Sequence, residues 1–172
     1  RLSKKYKVKN FKKINFSNLH RSELIKIRLE LLSKINSIPI SLILAQSIIE
    51  SGWGASRFAQ EGNALFGQWT WKNDDGIKPK GNLDANFSVK NFDSLLDSVN
   101  SYILNLNTHK AYKELRNFRT SQYNIGKKIT GNDMANFLDK YAEIGYKYVT
   151  KVKNMIEKNQ LSKYENSILT TY

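Results

Sequence analysis

Hydrophobic positions divide the chain into one segment that is apolar all round, several segments apolar on one face, and a polar, turn-rich stretch. The all-apolar segment begins at Pro39. Ile40, Leu42, Ile43, Leu44, Ala45, Ile48 and Ile49 leave it almost no polar face, which predicts a helix in the middle of a core. Pro39 suits the first turn, where a missing N–H costs nothing. Gly52 suits the end, where a left-handed residue stops a helix. Glu50 closes the segment, so a rigid core helix delivers a carboxylate to a surface where Gly52, Trp53 and Gly54 follow.

The one-faced segments surround this helix. Ser17 or Asn18 can cap a helix over 18–36, with Leu24, Ile27, Leu31 and Ile35 recurring at spacings of three and four. Ser56 to Gln60 reads as a short helix ended by Gly62. Two strands, 68–71 and 85–90, flank a connection rich in Gly, Pro, Asp and Asn. Asp93 or Ser94 caps a helix to Leu106, and Thr108 caps another to Phe118. Thr130 opens a short helix to Lys140, and a last helix spans Tyr146 to Lys158. The pattern predicts one mostly α (α+β) domain over 17–161. It follows a basic arm, residues 1–16, and precedes a weakly patterned, partly mobile tail, residues 162–172.

Charge changes this picture more than size does. The net charge is +13, and the arm alone carries seven basic residues and no acid. The arm reads first as a segment packed loosely on the domain, with a polyanion-binding tail as the sharper alternative. An anionic polymer, nucleic acid or membrane surface would each suit such a charge. The basic residues are spread along the chain, however, and no nucleic-acid motif gathers them, so a nucleic-acid partner is not expected. No apolar run approaches the ~20 residues of a membrane span. The absence of cysteine removes disulfide and thiolate chemistry. His20 and His109 are the only histidines and lie far apart without ligand spacing, so no metal is expected. No phosphate loop or serine elbow appears, and no cofactor is implied. The chain begins at Arg1 with no signal peptide in view, as a chain trimmed after a leader or anchor would.

Longer motifs are more specific. Ala45-Gln46 precedes Glu50-Ser51-Gly52-Trp53-Gly54; Ser56-Arg57-Phe58-Ala59 and Gly62-Asn63-Ala64-Leu65-Phe66-Gly67 follow. Phe92-Asp93-Ser94, Ser101-Tyr102, the run from Asn105 to Tyr112 and the run from Tyr141 to Tyr148 add to them. Together these resemble the bacterial glucosaminidase family, and its Bax-type branch most closely, over roughly residues 18 to 161. The resemblance implies a lysozyme-like helical hydrolase of peptidoglycan, with the short strands forming a small β-lobe beside the groove. It also implies a location in the bacterial cell envelope, periplasmic or secreted. Glycan strands would be the partner, alongside neighbouring anionic envelope polymers.

In that resemblance Glu50 stands at the position of the general acid. A carboxyl partly withdrawn from water against an aromatic surface holds its proton more readily, as a leaving glycosidic oxygen requires. A second carboxylate usually activates water or attacks the sugar. Asp74, Asp75 and Asp84 are the candidates in the β-lobe. Family members commonly place a glutamate there, but this chain has none between Glu61 and Glu114. Asp-Gly in a turn needs no function to explain it, and the substrate's own acetamido group is the other candidate base.

Tyr141 and Tyr148 match the family's paired tyrosines by spacing, although Glu143-Ile144-Gly145 stands where Thr-Asp-Pro is usual. A phenol near the acid would orient water or steady the transition state; the plainer role is an amphipathic core tyrosine. Trp53, Phe66, Trp69 and Trp71 are candidates to stack on sugar rings, with Trp69 first, and Phe66 is the one best explained by core packing. Asn63 fixes a turn or meets a sugar. The rival readings are a lytic transglycosylase, which gives an anhydro product, and a wall-binding or assembly module that has lost catalysis.

Overall fold

The computed structural model describes residues 2–8, 18–71, 76–80 and 86–167. It is mostly helical with one small antiparallel sheet. A short helix α1 (Leu2–Lys5) precedes α2 (Arg21–Lys34), α3 (Ile40–Ser51) and α4 (Arg57–Gly62). Strands β1 (Trp69–Thr70), β2 (Gly76–Ile77) and β3 (Ser88–Lys90) form the sheet. Helices α5 (Leu95–Thr108), α6 (Lys113–Asn124), α7 (Gly131–Ala135) and α8 (Tyr146–Lys158) complete the domain. No helix among the described residues is long and apolar enough to cross a membrane.

Helix α3 is the axis of the core, as its pattern predicts. Leu42 and Ala45 are fully buried and pack with Tyr102, Leu106, Leu115, Met134, Leu138, Val152 and Ile156 from α5 to α8. Gly52 ends α3 in the left-handed conformation (φ 58°, ψ 56°), its N–H bonded to the Ile48 carbonyl. That geometry costs an L-residue with a Cβ roughly 1–2 kcal/mol and glycine almost nothing.

Helix α2 departs from expectation twice. It begins at Arg21, because the Glu23 carboxylate reaches back to accept the His20 N–H at 2.9 Å, half of a capping box. None of its residues is buried, and Leu24 and Ile25 are exposed. The stripe therefore lies against the periphery of the domain. Polar bonds join the helix end to the core instead: Arg119 donates to the Ser33, Asn36 and Ser37 carbonyls. Arg119 and Arg116 are buried with no ion pair among the described residues. Arg116 donates to Leu106 and His109 oxygens at the end of α5, where carbonyls carry the negative end of the helix dipole.

The sheet holds three strands in the order β1-β3-β2 rather than two. Trp69 pairs Val89 and Thr70 pairs Ser88; Gly76 pairs Lys90 and Ile77 pairs Val89. The added strand β2 lies inside the predicted connection. It can approach β3 because residue 76 is glycine: a Cβ there would lie 2.6 Å from the Val89 carbonyl oxygen.

Later boundaries also move. Helix α5 runs on through Thr108, whose hydroxyl bonds the Leu104 carbonyl rather than capping a new helix. His109 Nδ1 takes the capping role, accepting the Ala111 N–H at 3.3 Å. Helix α6 extends to Asn124, and α7 stops at Ala135. Beyond α7 the chain tightens into i→i+3 bonds, Phe137 to Met134, Leu138 to Ala135 and Tyr141 to Leu138, with Leu138 fully buried. The last helix spans Tyr146–Lys158 as predicted. Glu165, in the weakly patterned tail, accepts the Ile40 N–H at 3.0 Å, the Gly131 N–H at 3.2 Å and the Ser41 hydroxyl. Tertiary partners hold it there, which local sequence cannot show.

Candidate active site

Glu50 sits one residue before the end of α3 and is half-buried. Its Oε1 accepts the Tyr148 hydroxyl at 2.6 Å, its one hydrogen bond among the described residues. Tyr148 lies in the first turn of α8 and is 2 % exposed. Gln46, one turn before Glu50 on the same helix, donates from Nε2 to the Tyr148 oxygen at 3.0 Å. The hydroxyl of Tyr102 on α5 donates to Gln46 Oε1. Three helices thus converge on one carboxylate.

Aromatic packing fixes the phenols. Tyr141 stacks on Tyr148 with ring centroids 5.2 Å apart and 11° between planes. Its ring meets Tyr102 at 6.5 Å and Tyr112 at 6.3 Å. Burial, then the charge of Glu50, pushes the Tyr148 and Tyr141 phenols far above the ordinary tyrosine range. Burial also pushes Tyr102 well up and Tyr112 to about 12. All four are therefore neutral near pH 7, able to donate hydrogen bonds but not to act as bases. The Tyr141 hydroxyl has no partner among the described residues, unlike that of Tyr148.

The segment after Glu50 is shaped by Ser51. Its hydroxyl donates to the Ser47 carbonyl at 2.6 Å and accepts the Gly54 N–H at 2.7 Å. Gly52, Trp53 and Gly54 all have positive φ. Trp53 at φ 61° holds a conformation unfavourable for a bulky residue, and its side chain is 66 % exposed. On β1, Trp69 and next to it Trp71 are also exposed; Trp69 stacks on Phe87 at 4.4 Å and meets Trp71 edge-on at 6.4 Å.

Phe66 and Asn63 take the structural alternatives that the sequence offers for them. Phe66 is 3 % exposed and stacks on Tyr102 at 4.1 Å, so it has no face open to a sugar. Asn63 is the left-handed cap of α4, and its amide donates to the Phe92 carbonyl at 2.9 Å. Asp74, Asp75 and Asp84 lie outside the described residues. Gln46, Tyr102 and Phe87 join these residues only in the fold. Gln46 was legible as the one amide inside an apolar helix, one turn from Glu50.

A cavity of about 730 Å³ lies at the other end of α3, lined by Arg119, Tyr123, Lys127, Lys128 and Glu165 among others. Its carboxylate, Glu165, is already bound by three donors, whereas Glu50 at the opposite end has one. No group of three or more His, Cys, Asp or Glu side chains that could hold a metal occurs among the described residues.

A half-buried acid bonded through one oxygen, with an exposed indole three residues on, thus closes the core helix. The chain belongs to the glucosaminidase family: the model described as mannosyl-glycoprotein endo-beta-N-acetylglucosaminidase matches residues 27–161. It is similar to Protein bax of Escherichia coli (strain K12), 32 % identical over 162 residues, which cover 92 % of this chain and 53 % of that protein. The chain spans about half the length of this relative.

Proposed function

We propose that this domain hydrolyses the β-1,4 bond after N-acetylglucosamine in peptidoglycan, within a lysozyme-like arrangement, and that Glu50 is its general acid. The observation that carries the reading is the Tyr148–Glu50 hydrogen bond at the end of the core helix. It leaves Oε2 of Glu50 without a partner among the described residues. In the reaction Oε2 gives its proton to the leaving glycosidic oxygen as the bond to the anomeric carbon breaks. Tyr148 then stabilises the carboxylate left behind. Tyr141, with its free phenol, orients the attacking water or faces the oxocarbenium-like centre. Trp53, Trp69 and Trp71 hold sugar rings by their apolar faces. The base is one of Asp74, Asp75 and Asp84, or the substrate's acetamido oxygen.

Such a domain acts in the bacterial cell envelope. Its basic surface gathers it onto anionic polymers there, and retention on isolated cell walls should weaken as salt rises. The deciding experiment is mass spectrometry of purified peptidoglycan digested by the protein and by Glu50→Gln. Reducing N-acetylglucosamine ends that vanish in the mutant support the reading. Anhydro-muramic products would reassign the domain as a lytic transglycosylase, and retention on the wall without soluble fragments would make it a binding module.

A further inference from the structure

Gln46 is fully buried, Tyr102 is 1 % exposed and Tyr148 is 2 % exposed. Burying polar groups is costly unless every one is paired. Leucine at position 46 would pack in the core without that demand. Instead the chain places an amide there and surrounds it with two phenols.

The hydrogen bonds also have a direction. The Tyr102 hydroxyl gives its hydrogen to Gln46 Oε1, which turns Nε2 toward Tyr148. Nε2 donates to a lone pair of the Tyr148 oxygen, and a carboxylate can only accept. The hydrogen of Tyr148 therefore points at Oε1 of Glu50. With the amide reversed, Oε1 of Gln46 would compete for that hydrogen. The rings have little freedom to rearrange: Tyr102 is stacked on Phe66 and Tyr148 on Tyr141.

We propose that Gln46 and Tyr102 are positioning residues: the buried chain Tyr102–Gln46–Tyr148 fixes the Tyr148 hydroxyl as a donor to Oε1 of Glu50 and so assigns proton transfer to Oε2. This rests on Glu50 being the general acid. The bond is worth most once the proton has left, since a donor favours the ionised carboxylate. It therefore stabilises the transition state more than the bound substrate, the difference that raises kcat.

The test uses Gln46→Met, which keeps length and loses both hydrogen bonds, and Tyr102→Phe, which keeps the stack on Phe66. Kinetics on soluble glycan fragments across pH would be read beside thermal unfolding. NMR of protein labelled with 13C at glutamate carboxyls, with the Glu50 resonance assigned by its loss in Glu50→Gln, follows the titration without any need for activity. We expect kcat to fall about tenfold in Gln46→Met with KM within about twofold. The alkaline limb of the pH profile and the NMR midpoint should both move up by about half to one pH unit. Tyr102→Phe should show the same signs at smaller size, and it carries the test if Gln46→Met does not fold. An unmoved midpoint in a folded variant overturns the proposal, even with an active wild type. A shifted midpoint with an inactive wild type supports the hydrogen-bond chain and instead removes the general-acid reading beneath it.

Discussion

Helix α3 meets a carboxylate at each end, Glu165 from the C-terminal segment at its start and its own Glu50 at its close, and the two are treated in opposite ways. At its start Glu165 receives two backbone N–H groups and one hydroxyl. At its end Glu50 receives a single phenol. The helix field runs the same way, favouring negative charge at the N-terminus and opposing it at the C-terminus. Glu165 is therefore bound through both oxygens where an anion is welcome, and it staples the C-terminal segment to α3 and α7. Glu50 is left with one oxygen open where an anion is least welcome, and Tyr148 is the described donor that offsets this. A carboxylate held through both oxygens fastens elements together; one with an open oxygen keeps a site free for another partner, as the proposed role of Glu50 requires.

Exchanging each acid for its amide should separate the two ends. Glu50→Gln should lower turnover on peptidoglycan by about 10²–10⁴-fold and leave the melting temperature within about a degree or two. Tyr148→Phe should lower turnover by about tenfold to a hundredfold, because a hydrogen bond to a charged group is worth about 1.5–3 kcal/mol. Glu165→Gln should do the reverse, keeping turnover within about twofold while the domain loses about 2 kcal/mol of stability. At this chain length that is a fall in melting temperature of about 4–8 °C. The comparison breaks if Glu165→Gln abolishes turnover in a folded protein, or if Glu50→Gln unfolds it.

The same contrast explains what could be read from sequence. The core helix, its glycine end and Glu50 were legible because they are local: an apolar run, a proline, a glycine and one acid define them. Helix α8 was legible for the same reason. Glu165 was not, since its partners at Ile40, Ser41 and Gly131 are brought to it by the fold. Phe66 is ambiguous in the sequence because an aromatic following a turn looks the same whether it faces sugar or the Tyr102 ring. Strand β2 has no sequence signature because two residues beside a turn have no period to detect, and its identity depends on pairing with β3. Family spacing marks the tyrosine pair, whereas Gln46 is visible in the sequence as an amide in an apolar helix but gains its two phenol partners only where three helices meet.

Asp133 offers the smallest and most local probe of the fastening end. Its Oδ2 accepts the Thr130 N–H at 3.0 Å and the Thr130 hydroxyl at 2.8 Å, capping α7 beside the Gly131 N–H that Glu165 holds. The Thr130 backbone bond is the main reason its carboxyl is held below the usual 3.8. A carboxyl depressed in the folded state contributes stability that is fully present above its unfolded pKa and is lost as pH falls through the folded one. Asp133→Asn should therefore lower the melting temperature slightly at pH 7, and the difference from wild type should shrink below about pH 4. Melting curves from pH 2 to pH 7 would show it. A gap that stayed constant across that range would mean the Thr130–Asp133 pair acts through shape alone, and that the fastening at this end of α3 owes nothing to the charge of Asp133.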